Sequence, residues 1–395
     1  MAAKTNIFRG TLLVAGTSIG GGMLALPVLT SLTGFLPSML VYLLCWLFMA
    51  TTGLLLLEIC LWMEDGVNLR TMAERTLGVY GKYAAWILYL FLFYCLTLAY
   101  IVGCGDLVVE ALQGAIPEWV GSLVFVLLFS PLIFAGAHLA GRINVWLMLG
   151  LAVTYCAFVF LGYRHVNPEL WKFRDWSYFP MAFPIAFTAF AYQGIIPTLV
   201  TYMHREPNHS RIAIMIGSFL PFIVYIIWQG LIMGIVPTHG PGGLAVALEN
   251  GDNAVQPLKN FIQSPSVYVI GQFFAFFALV TSFLGVTLGL FDFLADGLSV
   301  KKTPAGKALL CSLIFVPPLI VSFTYPGLFL MALDFAGGFG CSLLLGLMPV
   351  LMVWAGRYYL GYQSTFKVPG GKPLLMTLIV FVIFVLCCQF YMIFS

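Results

Sequence analysis

"GTSIGGGMLALP", Gly16 to Pro27, lies inside the first long apolar stretch of the chain, where a membrane-spanning helix is expected. Four of its first seven residues have no side chain, and the hydroxyls of Thr17 and Ser18 can bond nearby backbone in non-helical conformations. One glycine in a transmembrane helix is ordinary; this density predicts that the helix unwinds. A backbone group freed in hydrocarbon costs several kcal/mol unless it finds a partner. The break must therefore be enclosed by protein or line a cavity.

The rest of the chain supplies the membrane. Of 395 residues, 61% are hydrophobic and only 8% charged, against about 25% charged in a soluble domain. So few charges cannot cover a globular surface of this size, and the chain reads as one polytopic membrane domain, 1–395. A net charge of +3, spread along the sequence, excludes a nucleic-acid partner. The nine cysteines lie in apolar stretches without CxxC spacing or a nearby His or carboxylate at ligand distance, so neither a disulfide framework nor a metal site is expected. Lys4 and Arg9 resemble the start of a signal peptide, but the apolar run continues from Ile7 to Leu32 with no compact core and cleavage pattern. It reads as a retained helix.

Taking about 20 apolar residues per crossing, eleven spans are predicted at 7–32, 35–62, 83–112, 119–137, 143–163, 181–203, 211–236, 266–297, 306–324, 326–355 and 373–394. With the N-terminus in the cytoplasm, fourteen of the eighteen Lys and Arg residues fall in cytoplasmic segments, as the positive-inside rule requires. That orientation puts the C-terminus outside. The long external segment Pro237 to Ser264 contains a short helical piece, Leu244 to Glu249, and is either a lid or a plain connection.

A second interrupted helix is read in "FPIAFTAFAYQGIIPTLVTYM", Phe183 to Met203, from Pro184, Gly194 and Pro197 beside Tyr192 and Gln193. Each broken helix opens its own block of five spans, 7–163 and 181–355. Five is odd, so the blocks enter the membrane from opposite sides as inverted repeats, with 373–394 as an extra helix. Paired interrupted helices at matching places point to a transporter site near the midplane. Free N–H groups at the start of the half-helix near Gly22 suit a carboxylate, and unwound carbonyls suit an ammonium group or small cation. Together they describe an amino acid or another small zwitterion.

"VAGTSIGGGMLALP", "LLLLE" ending at Glu58, "FTAFAYQGIIPTLVTYM" and "TSFLGVTLGLFDFLADGL" resemble the hydroxy and aromatic amino acid permeases, in particular the tyrosine- and tryptophan-specific proton symporters of the amino acid/polyamine/organocation superfamily. The resemblance runs through nearly the whole chain. It implies an all-α integral membrane protein with the LeuT-type 5+5 inverted-repeat fold, about eleven helices with the first and sixth discontinuous, in the inner membrane. It further implies that Gly16, Thr17, Ser18, Ile19, Gly20, Gly21 and Gly22 bind the substrate's charged ends, with Phe187, Phe190, Ala191, Tyr192 and Gln193 opposite. Tyr94, Thr97 and Tyr100 of the third helix and Thr281, Ser282 and Gly285 of the eighth would complete the pocket. Relatives commonly carry histidine where this chain has Gln193, which cannot titrate.

The carboxyls within spans are then the coupling candidates: Glu58, Asp106 and Asp292, with Asp296 and Asp334 beside them. Asp334 is expected in an external re-entrant turn near Gly337 and Gly338. The function implied is proton-coupled import of tyrosine or tryptophan, needing no cofactor, metal or obligate protein partner. A serine/threonine permease of a sister branch is the alternative substrate reading, and sodium is the alternative ion, held by carbonyls near Gly16 and the hydroxyls of Thr281 and Ser282. No clustered nucleophile, acid-base pair or metal set suggests an enzyme, and no continuous polar lining suggests a channel.

Overall fold

The computed structural model describes residues 2–65, 67–262, 264–325 and 327–394, with side chains from residue 7 onward. Helix α1 (Ala2–Ser18) stops where the glycines begin, and α2 (Gly22–Leu29) resumes at 52° to it. Pro27, inside α2, has no N–H to give the Met23 carbonyl four residues back. Trp228 takes that role, its Nε1 donating to Met23 O at 2.9 Å.

Four helices follow: α3 (Phe35–Trp62), α4 (Leu69–Ala111, kinked at Gly78), α5 (Glu118–Ala135) and α6 (Ala137–Gly162). The sixth span is split into α7 (Phe183–Ala189) and α8 (Ile196–Tyr202). Then come α9 (Pro207–Ile235), the short α10 (Leu244–Asn250) and α11 (Leu258–Phe261), α12 (Pro265–Gly297) and α13 (Pro304–Thr324). The tenth span is α14 (Phe329–Phe335), a π-helical stretch (Ala336–Leu347) and α15 (Met348–Tyr358), and α16 (Gly371–Phe394) closes the chain. Among the described residues, ten helices are long and apolar enough to cross a membrane, eleven with the bent first pair. Among the described residues the sole β pairing is an isolated bridge between Gly34 and Arg174.

Helix α1 packs along α9, α6 along α12, and α4 along α5, while α7 lies against the π-helical stretch and α2. The two broken spans are thus enclosed by unbroken ones. This enclosure is what makes unwound backbone tolerable at membrane depth.

One expectation is refined and one corrected. The third span is preceded by a short helix, 69–77, capped by Asn68, which accepts from Thr71 N at 3.0 Å; Gly78 (φ 73°) breaks it from the span helix, which ends at Ala111. There is no re-entrant turn at Asp334. The chain continues as helix through Gly337 and Gly338, and neither has a positive φ. They are glycines because α7 and α16 come close: a Cβ on Gly337 would collide with the Pro184 carbonyl, and one on Gly338 with the Gln389 side chain. Position 326, the expected start of this span, lies outside the described residues.

The connection after α9 is docked rather than loose. Ala254, Val255 and Leu258 are buried, and Ala254 N donates to Leu24 O of α2 at 2.9 Å. It packs over α2, the second half of the first broken span.

Candidate substrate site between the broken helices

Ile19 to Gly21 carry the chain from α1 to α2 without helical hydrogen bonding of the usual register. Ile19 N still reaches Ala15 O at 3.0 Å, and Gly21 N donates to the Ser282 hydroxyl at 2.9 Å. The N–H groups of Gly20 and Gly22 have no partner among the described residues. The glycines also set the width of the notch. A Cβ on Gly21 would come within 2.6 Å of the Tyr100 ring, and one on Gly22 within 3.2 Å of the Ala189 Cα on the other broken span.

The second break, residues 190–195, is built from side chains. Gln193 is fully buried; its Oε1 accepts from Tyr192 N at 3.0 Å, and its Nε2 donates to Met49 O at 3.2 Å and Thr52 Oγ1 at 3.1 Å on α3. The Tyr192 hydroxyl also donates to Met49 O, and its ring occupies the room that Gly53 leaves on α3. Neutral histidine offers one N–H donor and one ring-nitrogen acceptor, whereas an amide offers an acceptor oxygen and an NH2 with two donors. Gln193 uses both donors and its acceptor, and it has no titratable proton.

One residue joins the two breaks. The Tyr225 hydroxyl of α9, fully buried, lies 2.6 Å from Ser18 O and 2.8 Å from Ala189 O, sharing its one hydrogen between the last carbonyls of α1 and α7.

Below the breaks opens a cavity of about 950 Å³. Gly16 to Gly22, Ala191, Tyr192 and Gln193 form its deep end, with Tyr100, Thr281, Ser282 and Gly285 beside them. It runs to Asn68, Leu69, Thr201 and Tyr202 on the membrane face where α1 starts. The walls between are mainly apolar, from Leu92, Phe93 and Leu96 of α4, Met148 of α6 and Val286 of α12. No Asp, Glu, Lys, Arg or His lines it among the described residues. Such a lining suits a ligand with no net charge whose charged ends are held by backbone and whose body is apolar.

Four residues expected in the pocket lie elsewhere. Tyr94 turns to α13, donating to Leu313 O at 2.8 Å; Pro317, four residues on, has no N–H and leaves that carbonyl free. Thr97 donates back to Phe93 O in its own helix at 2.7 Å. Phe187 packs on Phe48 and Phe381, and Phe190 on Tyr42 and Tyr225. Both back the cavity wall from behind.

None of the three coupling candidates lines the cavity. Glu58 is buried in a fork with Arg357, Nε to Oε1 at 2.7 Å, and accepts from Val368 N at 2.8 Å. It ties α3 to α15 and the segment before α16. Asp292 pairs at 2.7 Å with Lys302 on the half-exposed surface. Asp106 lines a separate hollow of about 370 Å³ on the opposite face, with Glu110, Glu118, Asp252 and Lys259.

The sequence reading missed several wall residues: Asn144 and Met148 of α6, Thr188 of α7, and Cys341, Leu344 and Leu345 of the π-helical stretch. Asn144, with a buried Oδ1 that has no partner, was signalled only as an amide inside an apolar helix. The others carry no sequence signal.

The comparisons with known proteins fit this geometry. The chain is 17% identical to MhsT in its complex with L-phenylalanine, with a TM-score of 0.66 over 97% of both chains. That likeness gives the fold, which is LeuT-type. In sequence the chain is 28% identical to a tryptophan-specific transport protein of Pseudomonas aeruginosa, covering 96% of this chain and 93% of that one. It is 31% identical to tyrosine-specific transport system 1 of Haemophilus influenzae, covering 94% and 93%. The model of the tryptophan/tyrosine permease family matches residues 3–389, nearly the full length, and this chain belongs to that family.

Proposed function

We propose that this membrane transporter imports tryptophan or tyrosine by proton symport, with the N-terminus in the cytoplasm of a bacterial cell. The observation that carries the reading is the bare notch at Gly20 to Gly22. Two partnerless N–H groups at the end of a broken helix suit an α-carboxylate. The carbonyls at the break suit the ammonium group, and the apolar walls with Tyr100 and Met148 accept a ring. The names of the relatives, tryptophan- and tyrosine-specific, support an aromatic substrate, as does the phenylalanine in the MhsT complex.

Transport then works by alternating access. The blocks 7–163 and 181–355 act as inverted repeats, and the first and sixth spans rock with their bundle against the others. The cavity here opens to the face where α1 starts, which is the cytoplasmic face on this reading. Protons rather than sodium are the coupling ion of this reading; of the two hydroxyls on α12 that would serve sodium, the Ser282 oxygen already accepts from Gly21 N at 2.9 Å.

The test is uptake of labelled tryptophan, tyrosine, phenylalanine and serine into proteoliposomes, with proton and sodium gradients imposed separately. Accumulation of tryptophan or tyrosine under the proton gradient alone is expected. Accumulation of none of the four under either gradient would sink the proposal.

A further inference from the structure

Asp334 lies on α14 with 9% of its surface exposed, in none of the ion pairs among the described residues. Its Oδ2 accepts from Nε2 of Gln389 on α16 at 2.9 Å. Its Oδ1 and the Gln389 Oε1 are both buried with no hydrogen-bond partner. Gly338 makes the niche that holds the amide.

No neighbouring charge compensates this carboxyl. Helices α2 and α7 carry no titratable side chain. Toward its C-terminal end α4 carries Tyr100, Cys104, Asp106 and Glu110, the π-helical stretch carries Cys341, and α16 carries Cys387, Cys388 and Tyr391 near Gln389. These are neutral or acidic; the basic residues of the same helices, Arg70, Arg75 and Lys82 of α4 and Lys372 of α16, stand at their opposite ends. An ionised Asp334 would be an unpaired charge in the protein core at membrane depth, which is costly. It would also leave two acceptor oxygens of one residue pair without a donor.

One proton removes both costs. A carboxylic acid and a primary amide close a ring of two antiparallel hydrogen bonds, the amide N–H to one acid oxygen and the acid O–H to the amide oxygen. The two bare oxygens are those such a ring uses, with Nε2 to Oδ2 already in place. We propose that Asp334 is the residue that takes up the coupled proton, and that the outer half of the transporter closes only over its neutral acid. The assignment rests on the proton-symport reading above.

The position links that proton to the moving parts. Leu333 O, one residue before Asp334, accepts from Thr188 Oγ1 of α7 at 2.7 Å, and Thr188 lines the cavity. Gly337 abuts the Pro184 carbonyl of α7. Beyond Asp334 the π-helical stretch carries Cys341, Leu344 and Leu345 to the cavity wall, and π segments recur where a helix must change register. When α7 swings out, Asp334 meets external water. A hydronium ion protonates Oδ1, leaving water, and the O–H then bonds Gln389 Oε1 as the outer half closes. Release runs the other way: the O–H bond breaks to a water of the cytoplasm-facing cavity once the contact through Thr188 loosens.

Two measurements test this. Infrared difference spectra should show a protonated-carboxyl band in the wild type at neutral pH, absent in Asp334→Asn and shifted in Gln389→Ala. In proteoliposomes Asp334→Asn, close in shape, should lose proton-driven tryptophan accumulation at least tenfold while counterflow exchange stays within about threefold. Asp334→Glu should restore part of the loss. A wild type driven by protons with a fully coupled Asp334→Asn overturns this assignment alone, whereas a wild type driven only by sodium overturns the symport reading with it. If Asp334→Asn fails to fold, the wild-type band decides, and a band that Gln389→Ala leaves unmoved overturns the proposal.

Discussion

At the first break the backbone is bare: Gly20 and Gly22 have N–H groups without a partner among the described residues beside an open cavity, and the lack of side chains at Gly21 and Gly22 leaves room for Tyr100 and Ala189. At the second, residues 190–195, the α-helical ladder is also interrupted, with 193–195 drawn into a 3-10 turn, but Gln193 and Tyr192 fill the gaps and anchor it to α3. Both pay the same cost of unwinding in a membrane. They differ in who satisfies the freed groups: a ligand can do so at the first break, and protein already does at the second. Two interrupted helices in matching positions therefore do not share one role. On the proposed function, the first binds, and the second holds the wall against which binding happens.

The sharpest way to break that comparison is to fill the notch. Gly21→Leu would drive a side chain into the Tyr100 ring and Leu279, whose nearest atoms lie 2.6 and 3.1 Å from the position of a Cβ. Uptake should fall by more than about a hundredfold, since overpacking of about 1–3 kcal/mol adds to loss of the binding backbone. The variant should still insert, as size-exclusion elution shows; normal transport would make the glycines packing alone. Next in size is Tyr225→Phe, which removes the hydroxyl shared by Ser18 O and Ala189 O. Leaving a buried acceptor without its donor costs about 1–3 kcal/mol, so uptake should drop roughly tenfold. Unchanged uptake would mean that the two breaks are not mechanically joined.

Both breaks were legible in the sequence because glycine and proline act on the backbone directly, whatever the tertiary surroundings. The spans were legible for a similar reason, since length and apolar content decide whether a helix crosses. What was not legible is which way a side chain on a uniformly apolar helix turns. Tyr94 answers to a carboxyl-side proline more than two hundred residues away, through the carbonyl that Pro317 frees on α13. Thr97 answers to its own helix. Gly337 and Gly338 show the same limit, because a glycine pair is written identically whether it serves a turn or a close approach of α7 and Gln389. The partner of Asp334 sits 55 residues further along the chain, with no local pattern to announce it.

A smaller effect tests the second break. Gln193→Ala would strip Tyr192 N of its acceptor and Thr52 and Met49 of their donor in a fully buried site. The expected result is a loss of stability of about 1–3 kcal/mol, read as a lowered Tm in detergent. The KM for tryptophan should change less than about threefold. A large KM shift with unchanged Tm would move Gln193 from wall to ligand and erase the distinction between the breaks.

The smallest effect concerns what roofs the first break. The connection carrying Asp252 docks on α2 through Ala254 N and Leu24 O. Burial holds the Asp252 carboxyl above its ordinary range, with the nearby acids Glu110 and Glu118 adding to this, against a hydrogen bond from Asn250 and the charge of Lys259. A carboxyl that binds its proton more tightly when docked favours docking at low pH. That contribution is complete below the ordinary carboxylate range, near about 4, and is lost as the pH rises through the raised value. Hydrogen exchange across 244–258, corrected for the intrinsic rate, should therefore show more protection in acid than at neutral pH. Asp252→Asn should flatten the profile. Since the roof covers only the first break, exchange in α8 below the second should not follow it; if α8 loses protection with the same pH dependence, the two breaks open as one unit and their separation of roles fails.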